Sequence, residues 1–505
     1  MKDFDAIVIG AGNGGLSAAV ALQRGGMQTL LLERHNIPGG CATSFVRGDY
    51  EFEVALHQLS GLGTEKQPAV LRHVFDSLGV TDKVTFIEEH HLYRYAVPGV
   101  IDITLPASVS GIVQTLSTEF PEEADAIQKF MDLCEVITLE TYMALPNARR
   151  SGDPDVLKRN CRNFVKYGLK STQDVMDEFF ISPVLKAVLG GYWGYAGQPL
   201  DRLPFSDLGV MLYAYAAMKP WHIEGGSQAL SNALLESFLE AGGDVRFNCG
   251  AEKILTEGGG VSAVRTEHGD VFTCNQVVSN ASSVLTYNQL LDRPELAKNA
   301  REDFKSRRMG VSGFVLYMGL DCTPEDLGLE AATNFIATTI DDKQQYARSK
   351  GFEDPLGCLF TCYTVGDKTM APQGKSVAAL MCLQYGEPWD SIAPEEYAAT
   401  KFAYAEKLIA LAENVIPNFR QHIEEIEIGT PVTMMRYLNT PGGAIYGFDQ
   451  TIAEHGAVRD RVRPVDGLHL AGSWTGMGGF QPTYQAGAAV AASILRKQNT
   501  KGNAA

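Results

Sequence analysis

Several side chains in this sequence can move a proton or face a charge beside glycine-rich backbone: His57, Glu53, Tyr446, Cys41, Arg436 and His222. A histidine titrates near neutrality, which makes His57 the leading proton-transfer candidate. The competing reading is a histidine held in the core by hydrogen bonds. Glu53 stands shortly before it and can orient either His57 or a water. Tyr446 is a cavity wall, a proton donor or a structural tyrosine. Cys41 follows the pair Gly39-Gly40 and is either a reactive thiol or a small packing residue. Arg436 can face a negatively charged group or make an ordinary surface ion pair. His222, beside Glu224-Gly225-Gly226, is a weaker candidate. No serine-hydrolase or two-metal constellation accompanies them.

The element that must position these groups is a strand, turn and helix. Ile7-Val8-Ile9 is short and apolar, as a buried parallel strand requires, and Gly10-Ala-Gly12-Asn-Gly-Gly15 turns it into a helix over residues 16–22. Gly10 allows the turn, Gly12 lets a pyrophosphate approach the backbone, and Gly15 lets helix and strand pack closely. The helix N-terminus offers free N–H groups and a partial positive charge to phosphates. A second apolar strand, Leu30-Leu31-Leu32, ends in Glu33, an acceptor for ribose hydroxyls. An accidental glycine turn would lack this order of strand, helix and acid. The pattern predicts an adenine dinucleotide site.

The next residues bear on which dinucleotide. Glu33-Arg34-His35-Asn36-Ile37-Pro38-Gly39-Gly40-Cys41 places a glycine pair after the second strand, where a nicotinamide enzyme usually enters another crossover helix. Such a pair lets the backbone pass close to a large bound group. Short strands over residues 45–47 and 50–53 follow, turned by Gly48-Asp49. This stretch resembles the FAD-binding start of the amine oxidase, phytoene desaturase and retinol saturase superfamily. Gly39-Gly-Cys41, then Phe45-Val-Arg-Gly-Asp-Tyr-Glu-Phe-Glu-Val-Ala-Leu-His57, is similar to its retinol saturase and carotenoid isomerase branch. His57 matches the histidine closing that motif. The branch usually has glycine where this chain has Ala55, which implies different flavin–backbone distances there.

Two distant blocks extend the resemblance. Residues 467–483 read as an apolar strand, a glycine-rich loop containing Gly472, Ser473, Gly476, Gly478 and Gly479, and a helix over residues 483–497 that starts after Pro482. Small residues at 486–489 let this helix pack tightly. The resemblance implies that the strand passes the pyrophosphate at Gly472 and that the helix aims its positive end at the flavin pyrimidine. Typical amine oxidases carry Glu where this chain has Ser473. The second block, Trp221-His222-Ile-Glu224-Gly225-Gly226-Ser227, resembles the family's glycine-pair segment before a helix over residues 228–240, and Val245 matches the backbone position that meets adenine in relatives. Residues 270–281 return as a further strand, and residues 430–448 resemble a segment beside flavin and substrate entry. The resemblance thus implies noncovalent FAD at Gly10, Gly12, Gly15, Glu33, Arg34, Gly40, Cys41, Val245, Gly472, Ser473, Gly479, Pro482 and Thr483.

The expected fold is α/β: a Rossmann-like FAD-binding domain of the glutathione-reductase and amine-oxidase type with a discontinuous α+β substrate domain. Residues 1–70, 221–295 and 425–497 form the first, residues 71–220 and 296–424 the second, and residues 498–505 a frayed tail. With 45% hydrophobic and 20% charged residues, the 505-residue chain reads as globular, with ample length for two domains. A net charge of −17 argues against nucleic acid and against electrostatic docking on anionic lipid. No apolar run reaches a membrane span. The first strand begins at once, leaving no room for a signal peptide, and nine scattered cysteines without a CxxC pair fit a reducing cytoplasm. Cys358 and Cys362, in a strand-like run over residues 356–365, lack zinc-spaced partners and read as core or barrel-lining residues. Further strand-like runs at residues 313–320 and 376–384 predict an antiparallel substrate-domain sheet. Helices are expected over residues 107–120 and 122–139. The aromatic run at 189–195 and the uncharged run at 208–218 predict buried helix with one face on an apolar tunnel or a peripheral membrane surface.

No second glycine-rich dinucleotide motif appears; Gly258-Gly259-Gly260 reads as a hairpin turn. Electrons therefore pass to or from the substrate, oxygen, a quinone, a partner protein or NAD(P)H docking at the flavin. The resemblance implies an FAD-dependent oxidoreductase that saturates, desaturates or isomerises carbon–carbon double bonds of a hydrophobic, isoprenoid or polyene-like molecule. A flavin amine or amino-acid oxidase is the alternative, disfavoured by Ser473. A non-catalytic prenyl-binding protein, as in the GDP-dissociation inhibitors, is the second alternative, disfavoured by the intact phosphate glycines.

Overall fold

The computed structural model describes residues 3–456, 458 and 464–502. Five parallel strands form its first sheet: Ala6–Ile9 (β1), Thr29–Leu32 (β2), Asp244–Arg246 (β3), Gln276–Ser279 (β4) and Leu468–Leu470 (β5), in the spatial order β5-β4-β1-β2-β3. β1 pairs β4 and β2 with Ala6 opposite both Gln276 and Thr29, so segments hundreds of residues apart share one register. β1 and β2 are buried throughout, which is why they read as uninterrupted apolar runs. Helices Asn13–Arg24 (α1), Gly226–Glu240 (α2) and Phe480–Gly502 (α3) pack together against this sheet. The fit of α1 to its neighbours depends on missing side chains. A Cβ on Gly15 would sit 1.9 Å from the Gly10 carbonyl oxygen, and one on Gly487 of α3 would sit 2.1 Å from that of Gly14.

A second sheet of seven strands runs Ile423–Gly429, Ser312–Leu320, Ser376–Gln384, Gly357–Cys362, Thr333–Ala337, His91–Val97, Ile101–Pro106. All neighbours are antiparallel except Thr333–Ala337 against His91–Val97. Alternation divides its faces: Phe314, Leu316 and Met318 join a core that includes Tyr404 and Leu408 of the helix Tyr397–Glu413, whereas Val315 and Tyr317 face the other way. Cys358, Cys362 and Cys382 belong to the helix-covered core, as the sequence suggested for the first two. A third core joins Ala124–Leu139, Phe205–Ala217 and the strand His91–Val97. The expected hairpin is present, Ser44–Arg47 against Tyr50–Glu53, as is the turn at Gly258-Gly259.

Three boundaries differ from expectation. The helix Val70–Leu78, expected almost wholly in the substrate domain, packs Leu71, Phe75 and Leu78 into the core shared with α1 and α2. Residues 425–429 belong to the second sheet, where hydrogen bonding to Ser312–Leu320 captures them. The tail expected from residue 498 instead continues α3 as far as Gly502; residues 503–505 lie outside the described set. Among the described residues, no helix is long and apolar enough to cross a membrane.

Candidate functional site

One cavity of 1210 Å³ runs from the glycine turn after β1 to an aromatic chamber over the second sheet. At its first end it passes Gly10, Gly12, Asn13, Gly14 and Glu33. Glu33 is 6% exposed; its Oε2 accepts from the Ala11 N–H at 2.6 Å and its Oε1 from the His35 N–H at 2.8 Å. Each oxygen keeps a further lone pair for a ligand hydroxyl. Gly12 begins α1 without a side-chain cap, so the first-turn N–H groups remain available, and the buried Asn13 Oδ1 has no partner. A second helix start faces the same space, since Gly479, Phe480, Pro482 and Thr483 of the α3 entry line it. Two helix N-termini and an uncapped glycine turn suit a diphosphate.

Gly40, Cys41, Gly472 and Ser473 line the middle of the cavity. Gly39 donates its N–H to the Ala11 carbonyl, laying the glycine pair along the first turn. Burial and the nearby Glu53 push the Cys41 thiol up to about 12, so it stays protonated at neutral pH and is not a reactive thiolate. Arg34 also lines the cavity, and its guanidinium donates to the Arg436 carbonyl at 2.9 Å. His35 stacks on Tyr437 with ring centroids 5.7 Å apart, closing this segment over the cavity. The Arg436 side chain is exposed, with its guanidinium 5.9 Å from the centroid of the Tyr437 ring, and does not reach the cavity.

The far end is built on the open face of the second sheet. Val315, Met381, Leu359 and Phe335 stand opposite one another on four neighbouring strands and form one apolar row of cavity lining. Gly191, Trp193, Tyr195, Met211 and Tyr215 cover it from above. His57 enters at the edge. Its Nδ1 lies 2.9 Å from Thr361 Oγ1 and 3.3 Å from the Tyr363 hydroxyl, and its Nε2 lies 3.1 Å from Met381 Sδ. Tyr195 and Tyr363 stack on the imidazole. Desolvation lowers His57 to about 4, so it is neutral at physiological pH, against the expectation of titration near neutrality. Tyr446 lines the same cavity, and burial pushes its phenol well above the usual range, keeping it protonated. The aromatic run at 189–195 and the uncharged run at 208–218 thus each contribute to the cavity, with Tyr195 and Tyr215 in its lining, whereas Leu208 and Leu212 are core.

Three expected site residues take other roles. Gly15 is not in the lining and serves the close packing of α1 on the turn, where a Cβ would meet the Gly10 carbonyl oxygen. Glu53 does not meet His57 and does not line the cavity. Its Oε1 accepts from the Ala55 and Leu56 N–H groups and the Ser227 hydroxyl, and its Oε2 from the Ser227 N–H, pinning the hairpin to the start of α2. The short loop after Glu53 makes these backbone donors nearer than any imidazole. Val245 sits within β3 opposite Leu31 and is absent from the lining; Gly250 to Lys253, just beyond β3, reach the cavity instead. The strand has to finish before the chain can turn toward the ligand. His222 is likewise away from the cavity, buried against Asp367 at 3.2 Å. Sequence reading missed Thr361, Tyr363, Met381 and Phe335. Thr361 and Tyr363 lay in a recognised strand-like run, but nothing local joins that run to His57.

A dinucleotide cleft opening into an apolar chamber defines a two-part redox-enzyme scaffold. The model of the family described as flavin containing amine oxidoreductase matches residues 14–495, and the chain belongs to this family. It is a flavin-dependent oxidoreductase. It is 26% identical over 538 residues to the all-trans-retinol 13,14-reductase of Danio rerio, covering 99% of this chain and 87% of that protein. It is 24% identical to the chloroplastic prolycopene isomerase of Daucus carota, covering 88% and 72%. The solved structure of wild-type putrescine oxidase bound to putrescine has the same fold, with a TM-score of 0.64 at 15% identity over 98% and 99% of the two chains.

Proposed function

We propose that the chain binds FAD noncovalently and acts on carbon–carbon double bonds of a hydrophobic, polyene-like substrate. The observation that carries this reading is the aromatic chamber with an apolar floor, continuous with the glycine-lined cleft. Gly12 and Gly472 border the pyrophosphate, Gly15 sets the helix–strand spacing, and Glu33 takes the ribose. Arg34, Gly40, Cys41, Ser473, Gly479, Pro482 and Thr483 complete the flavin cleft, and the backbone at residues 250–253 replaces Val245 at the adenine end. Bound flavin exchanges hydride with carbon at N5. The 26% and 24% relatives, named for retinol reduction and prolycopene isomerisation, support an extended apolar substrate.

The chain's own contribution is exclusion of water, alignment and proton supply. The row Val315, Met381, Leu359, Phe335 gives a flat apolar floor, and Tyr195 with Tyr215 restricts the substrate from above. Near His57 the lining offers no carboxylate for a protonated amine: Glu53 is tied to Ser227, and Asp207 faces His455 at 3.3 Å. With Thr361 and Tyr363 hydroxyls donating to Nδ1, His57 carries its proton on Nε2, opposed only by the weak acceptor Met381. The substrate carbon that does not receive hydride takes the Nε2 proton as Nδ1 takes one from the Tyr363 hydroxyl, so the imidazole stays neutral and the phenol is the proton source; Tyr446 is the second proton holder. NAD(P)H or another external carrier supplies the electrons. Anaerobic stopped-flow tests this by mixing oxidised and reduced enzyme separately with detergent-dispersed polyenes. Reoxidation of the reduced flavin is expected; reaction of the oxidised enzyme alone would replace saturation by desaturation or oxidation.

A further inference from the structure

Near Asp207 and Met211 the cavity is lined by a turn that also reaches the protein surface. Ala124–Leu139 continues into a π-helical turn, Glu140–Ala144, and Tyr142 in that turn lines the cavity, where Gln481 Nε2 donates to its hydroxyl at 3.3 Å. The same stretch presents Val136, Leu139 and Met143 to solvent, with 37%, 52% and 65% exposure, at the spacing of one helical face. Glu140 accepts from Asn163 Nδ2 and from the Phe164 N–H, which brings the exposed Val165 alongside. An aliphatic ridge therefore overlies the chamber wall with nothing packed on it among the described residues.

The charge around this ridge runs against the rest of the chain. Residues 136–170, which include the ridge, hold seven Lys and Arg, all exposed, against Glu140, Asp153 and Asp155, in a protein whose net charge is −17. Lys158 and Lys170 reach Asp155 and Glu178. Among the described residues, no carboxylate lies within ion-pair distance of Arg149, Arg150, Arg159, Arg162 or Lys166; Arg149 and Arg150 donate to backbone carbonyls of Gly456 and Pro146. At physiological ionic strength screening acts over about 8 Å, so the local excess of cations outweighs the distant acidic surface. An aliphatic ridge bordered by exposed cations with no carboxylate partner among the described residues matches the interface of an anionic bilayer, which takes up the aliphatic groups and pairs the cations with lipid headgroups.

We infer that residues 136–170 dock on an anionic lipid surface, and that substrate passes between bilayer and chamber beside Tyr142. The docking half stands on the surface alone; the passage half rests on the proposed substrate class. Flotation of the holoenzyme with vesicles of phosphatidylcholine alone, or with added phosphatidylserine, is the test. Binding is expected only with phosphatidylserine and is lost at high salt. Arg159→Glu with Arg162→Glu weakens it about fivefold or more per charge, and Leu139→Ser with Met143→Ser weakens it on the same vesicles. Flavin absorbance and melting temperature stay those of the parent, and Arg265→Glu, on a distant hairpin, floats normally. Failure of the parent to float, equal binding to neutral vesicles, or undiminished flotation of the Arg159/Arg162 variant overturns the docking surface. For passage, the same variant should slow turnover of vesicle-embedded polyene and spare the detergent-dispersed form. A protein that floats but consumes polyene in neither form keeps the docking surface and loses the passage and the substrate reading.

Discussion

The nucleotide cleft and the substrate chamber share one cavity but are made of different material. The cleft is mainly backbone: glycines, strand ends and helix starts whose N–H groups face the space. The chamber is side chains, placed by cross-strand register over four strands and roofed by tyrosines. Backbone recognition depends on the absence of side chains at a few positions and tolerates drift elsewhere. Side-chain recognition depends on which residues the sheet sets opposite one another, so it can change substrate while the cleft keeps its cofactor.

The largest effect should come from breaking the cleft. Gly12→Val puts a branched side chain where a Cβ already approaches Asn280 Nδ2 at 2.7 Å, and flavin content should fall more than about tenfold, read from the visible absorbance of purified protein. Normal flavin in this variant would show that backbone approach does not govern the cleft. Next is the seam between the regions. Glu53→Ala leaves the Ser227 and Leu56 N–H groups without their buried acceptor and should cost about 3 kcal/mol in chemical denaturation. Glu53→Gln should recover part of this, whereas a role in proton transfer would leave stability untouched and lower turnover alone.

A chamber variant should do the reverse of Gly12→Val. His57→Ala should keep flavin and lower turnover about 100-fold. The pH dependence has a defined sign. The unfolded imidazole takes up its proton near 6.5 and the folded one near 4. The stability contribution is therefore complete above about 6.5 and drains as pH falls toward 4, by at most about 3 kcal/mol. His57→Gln should flatten that part of the profile measured by denaturation at each pH; an unchanged slope would locate the titration elsewhere. The smallest effect is expected where cleft meets chamber. Cys41→Ser should change flavin binding and turnover by less than about twofold, because its thiol is already protonated. A large loss would make Cys41 a chemical participant.

Glu53 and Val245 show where sequence reading goes astray. Both stand in correctly recognised segments, but Glu53, expected to orient His57 or a water, is held by backbone N–H donors, and the adenine-facing role expected of Val245 falls to residues 250–253. Spacing along the chain brings Glu53 near His57 in number, yet the turn at Ala55-Leu56 offers nearer donors. Val245 lies within a strand whose hydrogen bonds to β2 hold it in the sheet, so only residues after the strand are free to reach the cavity.

By itself the sequence determined the cleft, because a strand, a glycine turn, a helix start and a terminal acid are consecutive and each has a local steric reason. It determined the apolar runs of both sheets for the same reason: period and burial are written residue by residue. Only the tertiary structure decided the chamber. His57 meets Thr361 and Tyr363 about three hundred positions away, and Val315, Met381, Leu359 and Phe335 become neighbours only through strand pairing. The protonation state of His57 was decided there too, since desolvation is a property of the surroundings that fold around a side chain.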